Sequence, residues 1–258
     1  MHGELTLSAS TLFAFLLVLA RLTGTFVFVP LPGADGSFAP PRIVLALACT
    51  IALFPRWPRV DMTQTGLAQM LLWTLSEAAM GMTVGLLVSF IAESLTLGAQ
   101  MLSLQAGYGY ASVVDPNTQA DAGILLVMAQ LTATLLFFVS GLDRVVIQAF
   151  ALSLDSYPPG TFALSRGLGE TVIHLGSNIF SVGLRLAFPV IGLLLMTDIA
   201  LGLLGRINAQ LQLVIQAFSA KMLLALVTLT GVLIVIPSIY QAFAGEVFRV
   251  VREQILRR

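Results

Sequence analysis

The stretch that decides the fold reads LAQMLLWTLSEAAMGMTVGLLVSFI, residues 67–91, and runs on through Ala92 and Glu93 toward Gln105. A helix needs about 20 predominantly apolar residues to cross a bilayer, and this run is 25 residues long with a single charge, Glu77. Glu77, Gly81, Gly85, Ser89 and Glu93 recur every fourth residue. On a helix such residues are surface neighbours, drifting only about 40° per step. Gly81 and Gly85 form a small-xxx-small pair, which lets another backbone come close. A carboxylate in lipid costs several kcal/mol, so Glu77 must face protein or water. Two readings of the row stand side by side, a helix-packing seam and an ion-conducting carboxylate.

The rest of the chain agrees with a membrane setting. Of 258 residues, 57% are apolar and 10% charged, with 13 basic and 13 acidic side chains and a mean hydropathy of +0.94. A disordered chain would be polar and charged, and a nucleic-acid binder would carry a basic excess. A soluble domain of this size has no core large enough for so much apolar surface. Cys49 is the lone cysteine, so no intramolecular disulfide is possible, and His2 and His174 stand apart with no HExxH or CxxC spacing. Nothing in the sequence provides a metal or cofactor motif. Arg21 follows the first apolar stretch instead of preceding it, which predicts an uncleaved first span.

Further apolar segments run over 12–29, 43–54, 123–141, 145–154, 171–205 and 211–236. The segment at 43–54 is short for a span and suits a buried or half-inserted helix. Residues 93–105 read as amphipathic. Pro189 lies in the middle of 171–205, which predicts a broken helix there, and Pro237 is expected to end the last segment. Counted between segments, eight Arg lie on the side of the C-terminus and two on the other, which predicts a cytoplasmic C-terminus.

A second row at four-residue spacing comprises Asp198, Gly202, Arg206 and Gln210. Asp198 and Arg206 are two turns apart, roughly 12 Å at 1.5 Å per residue, and so each needs a partner from another helix. Lys221, the only lysine, lies in the segment that follows. Gly107-Tyr108-Gly109-Tyr110 resembles half of a dinucleotide fingerprint, but Ser112 stands where the third glycine belongs and no strand precedes it. The run continues through Val113, Val114, Asp115 and Pro116, and Asp-Pro-Asn favours a turn. By composition this loop is a plain re-entrant connection or a gate element.

Taken in order, several of these residues resemble the FliR/SctT family of bacterial type III export components. The resemblance begins at Leu19-Ala20-Arg21-Leu22 and Gly24 and passes through Pro30, Pro41-Arg42 and Pro55. It continues with Gly109-Tyr110-Ala111-Ser112-Val113-Val114-Asp115-Pro116. It is strongest over Phe188-Pro189-Val190-Ile191 to Asp198 and Leu201-Gly202-Leu203-Leu204-Gly205-Arg206. Ala209 and Ser219 depart from it, standing where the family has prolines.

The resemblance implies an all-α, membrane-associated chain built like a FliP fused to a FliQ, its FliP-like part about 1–170 and its FliQ-like part about 171–258. One copy would join five FliP-like and four FliQ-like subunits in a helical export gate, with FlhB-like and FlhA-like proteins completing the apparatus. The gate would pass unfolded proteins through the bacterial inner membrane within the flagellar basal body, and would not be an enzyme. An injectisome homologue of the same gate is the nearest alternative. The run Gly107 to Pro116 would belong to the plug. Glu77, Gly81, Gly85, Ser89, Glu93, Pro189, Asp198, Gly202, Arg206, Gln210 and Lys221 would serve helix packing and subunit contacts. A secondary transporter using Glu77, Asp198 or Arg206 competes from the residues alone, though no internal repeat supports it.

Overall fold

The structure is a computed structural model, and it describes residues 8–31, 40–60, 66–108, 123–163, 165–207 and 213–255. All regular structure among them is helical: α1 Ala9–Phe28, α2 Pro40–Ala52, α3 Leu67–Ala106, α4 Ile124–Val139, α5 Leu142–Ser156, α6 Arg166–Ile207, α7 Leu213–Leu233 and α8 Ile236–Val250. A 3₁₀ turn at Phe54–Arg56 and a π turn at Val251–Ile255 complete the order. Three helices, α1, α3 and α6, are long and apolar enough to cross a membrane; the pairs α4–α5 and α7–α8 pass the same test when each is taken together.

Local chemistry sets several boundaries. Ser8 caps α1, its Oγ accepting the Thr11 N–H at 3.3 Å. Arg42 closes the other end by donating from Nη1 to the carbonyls of Phe26, Val27 and Val29. These are carbonyls that a helix end leaves without intrahelical donors. Gly141 holds a left-handed φ of 69° and separates α4 from α5. The amphipathic run at 93–105 continues α3 without interruption.

Two expectations at prolines need correction. Pro189 does not break the 171–205 segment, which lies inside the single helix α6. An interior proline costs about 3 kcal/mol, but Ala187, Val190 and Leu194 beside it are buried to within 1% exposure. Burying side chains of that size contributes roughly 1.5–3 kcal/mol for a Val or Leu, enough to hold the helix through the defect. Pro237 does not end the last segment either. The break falls at Ile234–Val235, and Pro237 sits in the first turn of α8, at 57° to α7. A missing N–H is harmless in a first turn, where no carbonyl awaits it.

The chain divides into two compact units, Met1–Ser89 with Phe137–His174 and Glu246–Arg258, and Phe90–Leu136 with Leu175–Gly245. The first packs around Leu17, Val18, Met80, Leu87 and Val88. The second packs around Leu102, Ala106, Ala187, Val190, Leu194 and Ala225. Large apolar side chains also point outward, among them Leu67 and Ile234 at 82% exposure and Ile173 at 74%. Faces of that kind call for lipid or protein cover.

Candidate functional site: two polar clusters

In the first unit, the row on α3 meets α1. A Cβ on Gly81 would overlap the Arg21 carbonyl, and one on Gly85 would overlap that of Thr25. From the α1 side, a Cβ on Gly24 would lie 2.6 Å from the Ala78 carbonyl oxygen. Only residues without side chains let two helix backbones approach so closely. The Thr25 hydroxyl lies 3.1 Å from both the Arg21 and Gly81 carbonyls, joining the helices at that contact.

This approach carries Arg21 to Glu77, one turn above Gly81. Both are buried, and Arg21 Nε donates to Glu77 Oε2 at 2.5 Å. The guanidinium also donates from Nη1 to the Ser153 carbonyl at 2.9 Å and its Oγ at 3.1 Å, and from Nη2 to the Tyr157 carbonyl at 3.3 Å. Glu77 Oε1 accepts the Gly160 N–H at 3.3 Å. The planar fork of an arginine suits such a cluster of acceptors. Gly160 has φ 75°, and the Trp73 ring fills the space a Cβ would need. The Pro158-Pro159-Gly160 turn is thereby held against α1 and α3. Further along the row, Ser89 is half-buried, and the exposed Glu93 accepts a hydrogen bond from Thr96 at 2.8 Å.

In the second unit, α3 ends at Gly107, whose φ is 86°. Gly107 N–H donates to the Leu104 carbonyl at 3.3 Å and Tyr108 N–H to the Ser103 carbonyl at 3.0 Å, the paired bonds of a Schellman cap. Gly123, where the chain re-enters, sits so close to Ser103 that a Cβ would lie 3.0 Å from its Oγ. The loop between them therefore leaves and returns at one turn of α3. Tyr108 donates its hydroxyl to the Met222 carbonyl at 3.2 Å, and burial raises its pKa above the ordinary tyrosine range, keeping it a neutral donor. Gly109, Tyr110, Val113, Val114, Asp115 and Pro116 lie outside the described residues, as does Gln210.

Next to this anchor, Lys221 on α7 pairs with Asp198 on α6 at 2.8 Å, and Gln105 Nε2 donates to Asp198 Oδ2 at 3.1 Å. Asp198 of the second row and Lys221 of the segment that follows thus meet in one cluster. Asp198 is 40% exposed at its side chain and Lys221 12%. Pro189, Gly202 and Arg206 face outward on α6, and a Cβ on Gly202 would meet nothing within 4 Å. Sequence reasoning missed Ser153, Tyr157, Gly160 and Gln105, and it did not join Arg21 to Glu77. The one available signal was that both are lone charges of opposite sign inside apolar segments.

A half-exposed pair gains little from its charges. Asp198→Asn is therefore expected to lower stability by less than about 1 kcal/mol. Exchanging the charges of Asp198 and Lys221 should restore it, whereas exchanging those of Asp198 and Arg206 should not. Thermal unfolding of the detergent-purified variants reads this directly, and rescue by the Arg206 exchange would contradict the assignment. Among the described residues no three His, Cys, Asp or Glu side chains converge as a metal site would require.

The chain is similar to three proteins named flagellar biosynthetic protein FliR. It is 26% identical to that of Escherichia coli K12, over 83% of this chain and 82% of the other. It is 25% identical to that of Bacillus subtilis, over 84% of each. To that of Caulobacter vibrioides it is 25% identical, over 81% of this chain and 84% of the other. The sequence pattern common to one protein family also matches residues 12–247. That match takes in both polar clusters, and the chain belongs to the bacterial export proteins, family 1.

Proposed function

We propose that this chain is a channel-forming core subunit of a bacterial flagellar protein export gate. One observation carries the reading: similarity to FliR proteins runs through more than four-fifths of this chain and of theirs. In this reading one copy assembles with five FliP-like and four FliQ-like subunits, and FlhB-like and FlhA-like proteins complete the apparatus. Its parts at about 1–170 and about 171–258 are FliP-like and FliQ-like. The assembly sits in the inner membrane, with the arginine-rich C-terminus in the cytoplasm. The outward-facing apolar side chains support it, since neighbouring subunits or lipid would cover them.

The loop opening at Gly107 acts as part of the plug. Anchorage of both flanking ends at Ser103 supports this role, because it fixes the place on α3 from which the loop is borne.

Purifying the tagged chain in mild detergent, with FliP-like and FliQ-like proteins expressed beside it, tests the reading. A single large complex containing all three is expected, and a stable monomer or homodimer would overturn it. Deleting Gly107 to Pro116 is expected to leave that complex intact and make the cells permeable to ions. Unchanged permeability of cells holding the assembled variant would remove the plug assignment.

A further inference from the structure

Arg185 lies near the middle of α6 with its side chain exposed, and among the described residues it has no hydrogen-bond or ion-pair partner. It borders a groove of about 470 Å³, whose lining includes Pro189, Val227, Gly231 and Ile239. That volume falls within the roughly 300–1,000 Å³ of clefts that hold organic ligands. Arg185 is the one charged residue of the lining, and its one hydroxyl, Thr228, already donates to the carbonyls of Leu224 and Ala225. A cation on so apolar a helix is costly without an anionic counterpart.

Two more features specify that counterpart. Pro189 has no N–H to give the Arg185 carbonyl four residues earlier, which leaves that carbonyl without its usual intrahelical donor. The groove also shares Leu186 and Val232 with a second cavity of about 80 Å³, whose lining has no charged residue and Thr132 as its only hydroxyl. A helix is about 10–12 Å across and cannot enter a cavity that small. An alkyl chain can. Gly231 leaves the approach open, since a Cβ there would meet nothing within 4 Å.

We propose that this groove binds an anionic acyl lipid, with the phosphate on the Arg185 guanidinium and a chain running past Pro189 and Gly231 toward the cavity below Leu186 and Val232. Guanidinium and phosphate match as a bidentate, charge-assisted pair. Phosphatidylglycerol carries both parts the groove offers to hold, a singly charged phosphate for Arg185 and acyl chains for the apolar lining. The site is independent of the export reading and requires only contact with a membrane.

Native mass spectrometry of the full chain, purified from micelles containing equal phosphatidylglycerol and phosphatidylcholine, tests it. The chain should retain phosphatidylglycerol about tenfold over phosphatidylcholine, the value of one charge-assisted contact. Arg185→Gln should bring the two lipids to parity, and Arg185→Lys should keep the preference. Gly231→Leu, which fills the groove, should reduce retention of both. Equal retention by the native chain, or an undiminished preference in Arg185→Gln, would overturn the proposal. So would a Val227→Cys variant that crosslinks in native membranes to another subunit while the purified chain carries no lipid, because a protein helix would then occupy the groove.

Discussion

Glu77→Ala in the full chain is expected to cost about 3–5 kcal/mol and to leave little folded protein, because it strands a buried arginine. Arg21 and Glu77 are each about 2% exposed at their side chains, so water cannot take over the lost partner's role. The remaining acceptors of Arg21, the carbonyls of Ser153 and Tyr157 and the Ser153 hydroxyl, carry no charge to neutralise it. The double variant Arg21→Met with Glu77→Leu should recover most of the loss, since apolar residues of similar volume satisfy a buried site without desolvating a charge. Unfolding temperature and protease resistance in detergent both report the difference. A single variant as robust as the double would show that the pair does not hold the first unit together.

The second large effect is expected at the glycines. Gly81→Leu together with Gly85→Leu should separate α1 from α3 and prevent assembly of the chain with its partners. Overpacking typically costs about 1–3 kcal/mol where side chains can shift. Here the obstruction is the α1 backbone at Arg21 and Thr25, which has no rotamer to change. Separation would also pull Arg21 from Glu77, so the steric and electrostatic losses add. Gly202→Leu is the contrast for folding of the chain by itself: equally a helical glycine, it meets nothing within this chain and should leave the unfolding temperature unchanged. Normal assembly of the Gly81/Gly85 double variant would dismiss the close approach as a requirement.

The contrast between these glycines marks what the sequence could convey. Spacing of four placed Glu77, Gly81 and Gly85 on one face, and lipid energetics demanded a partner for Glu77. Neither could say that the partner was Arg21, because helix pairing across 56 residues is set by tertiary packing and leaves no local periodicity. The same holds for Asp198, whose need for a partner on another helix was readable while Lys221 and Gln105 were not assignable to it. Proline misled twice in the same direction, each time by suggesting an interruption where the helix runs through it. At Pro189 the missing donor is offset by burial of its neighbours, and at Pro237 the position in a first turn means that no donor is missed. The glycine loop was recognised from its residues, and its anchorage at Ser103 became visible only once both ends were placed on α3.

The separation of Arg21 from Glu77 also has a meaning in time. At synthesis rates of about 5–20 residues per second, Glu77 emerges roughly 3–11 seconds after Arg21. During that interval α1 carries a cation with no carboxylate to meet it, and settling into lipid alone is costly. The ribosome therefore delivers the helix before it delivers the reason for the helix to stay. The Arg42 contacts from α2 can form earlier, but the buried charge of Arg21 is matched only once α3 has emerged.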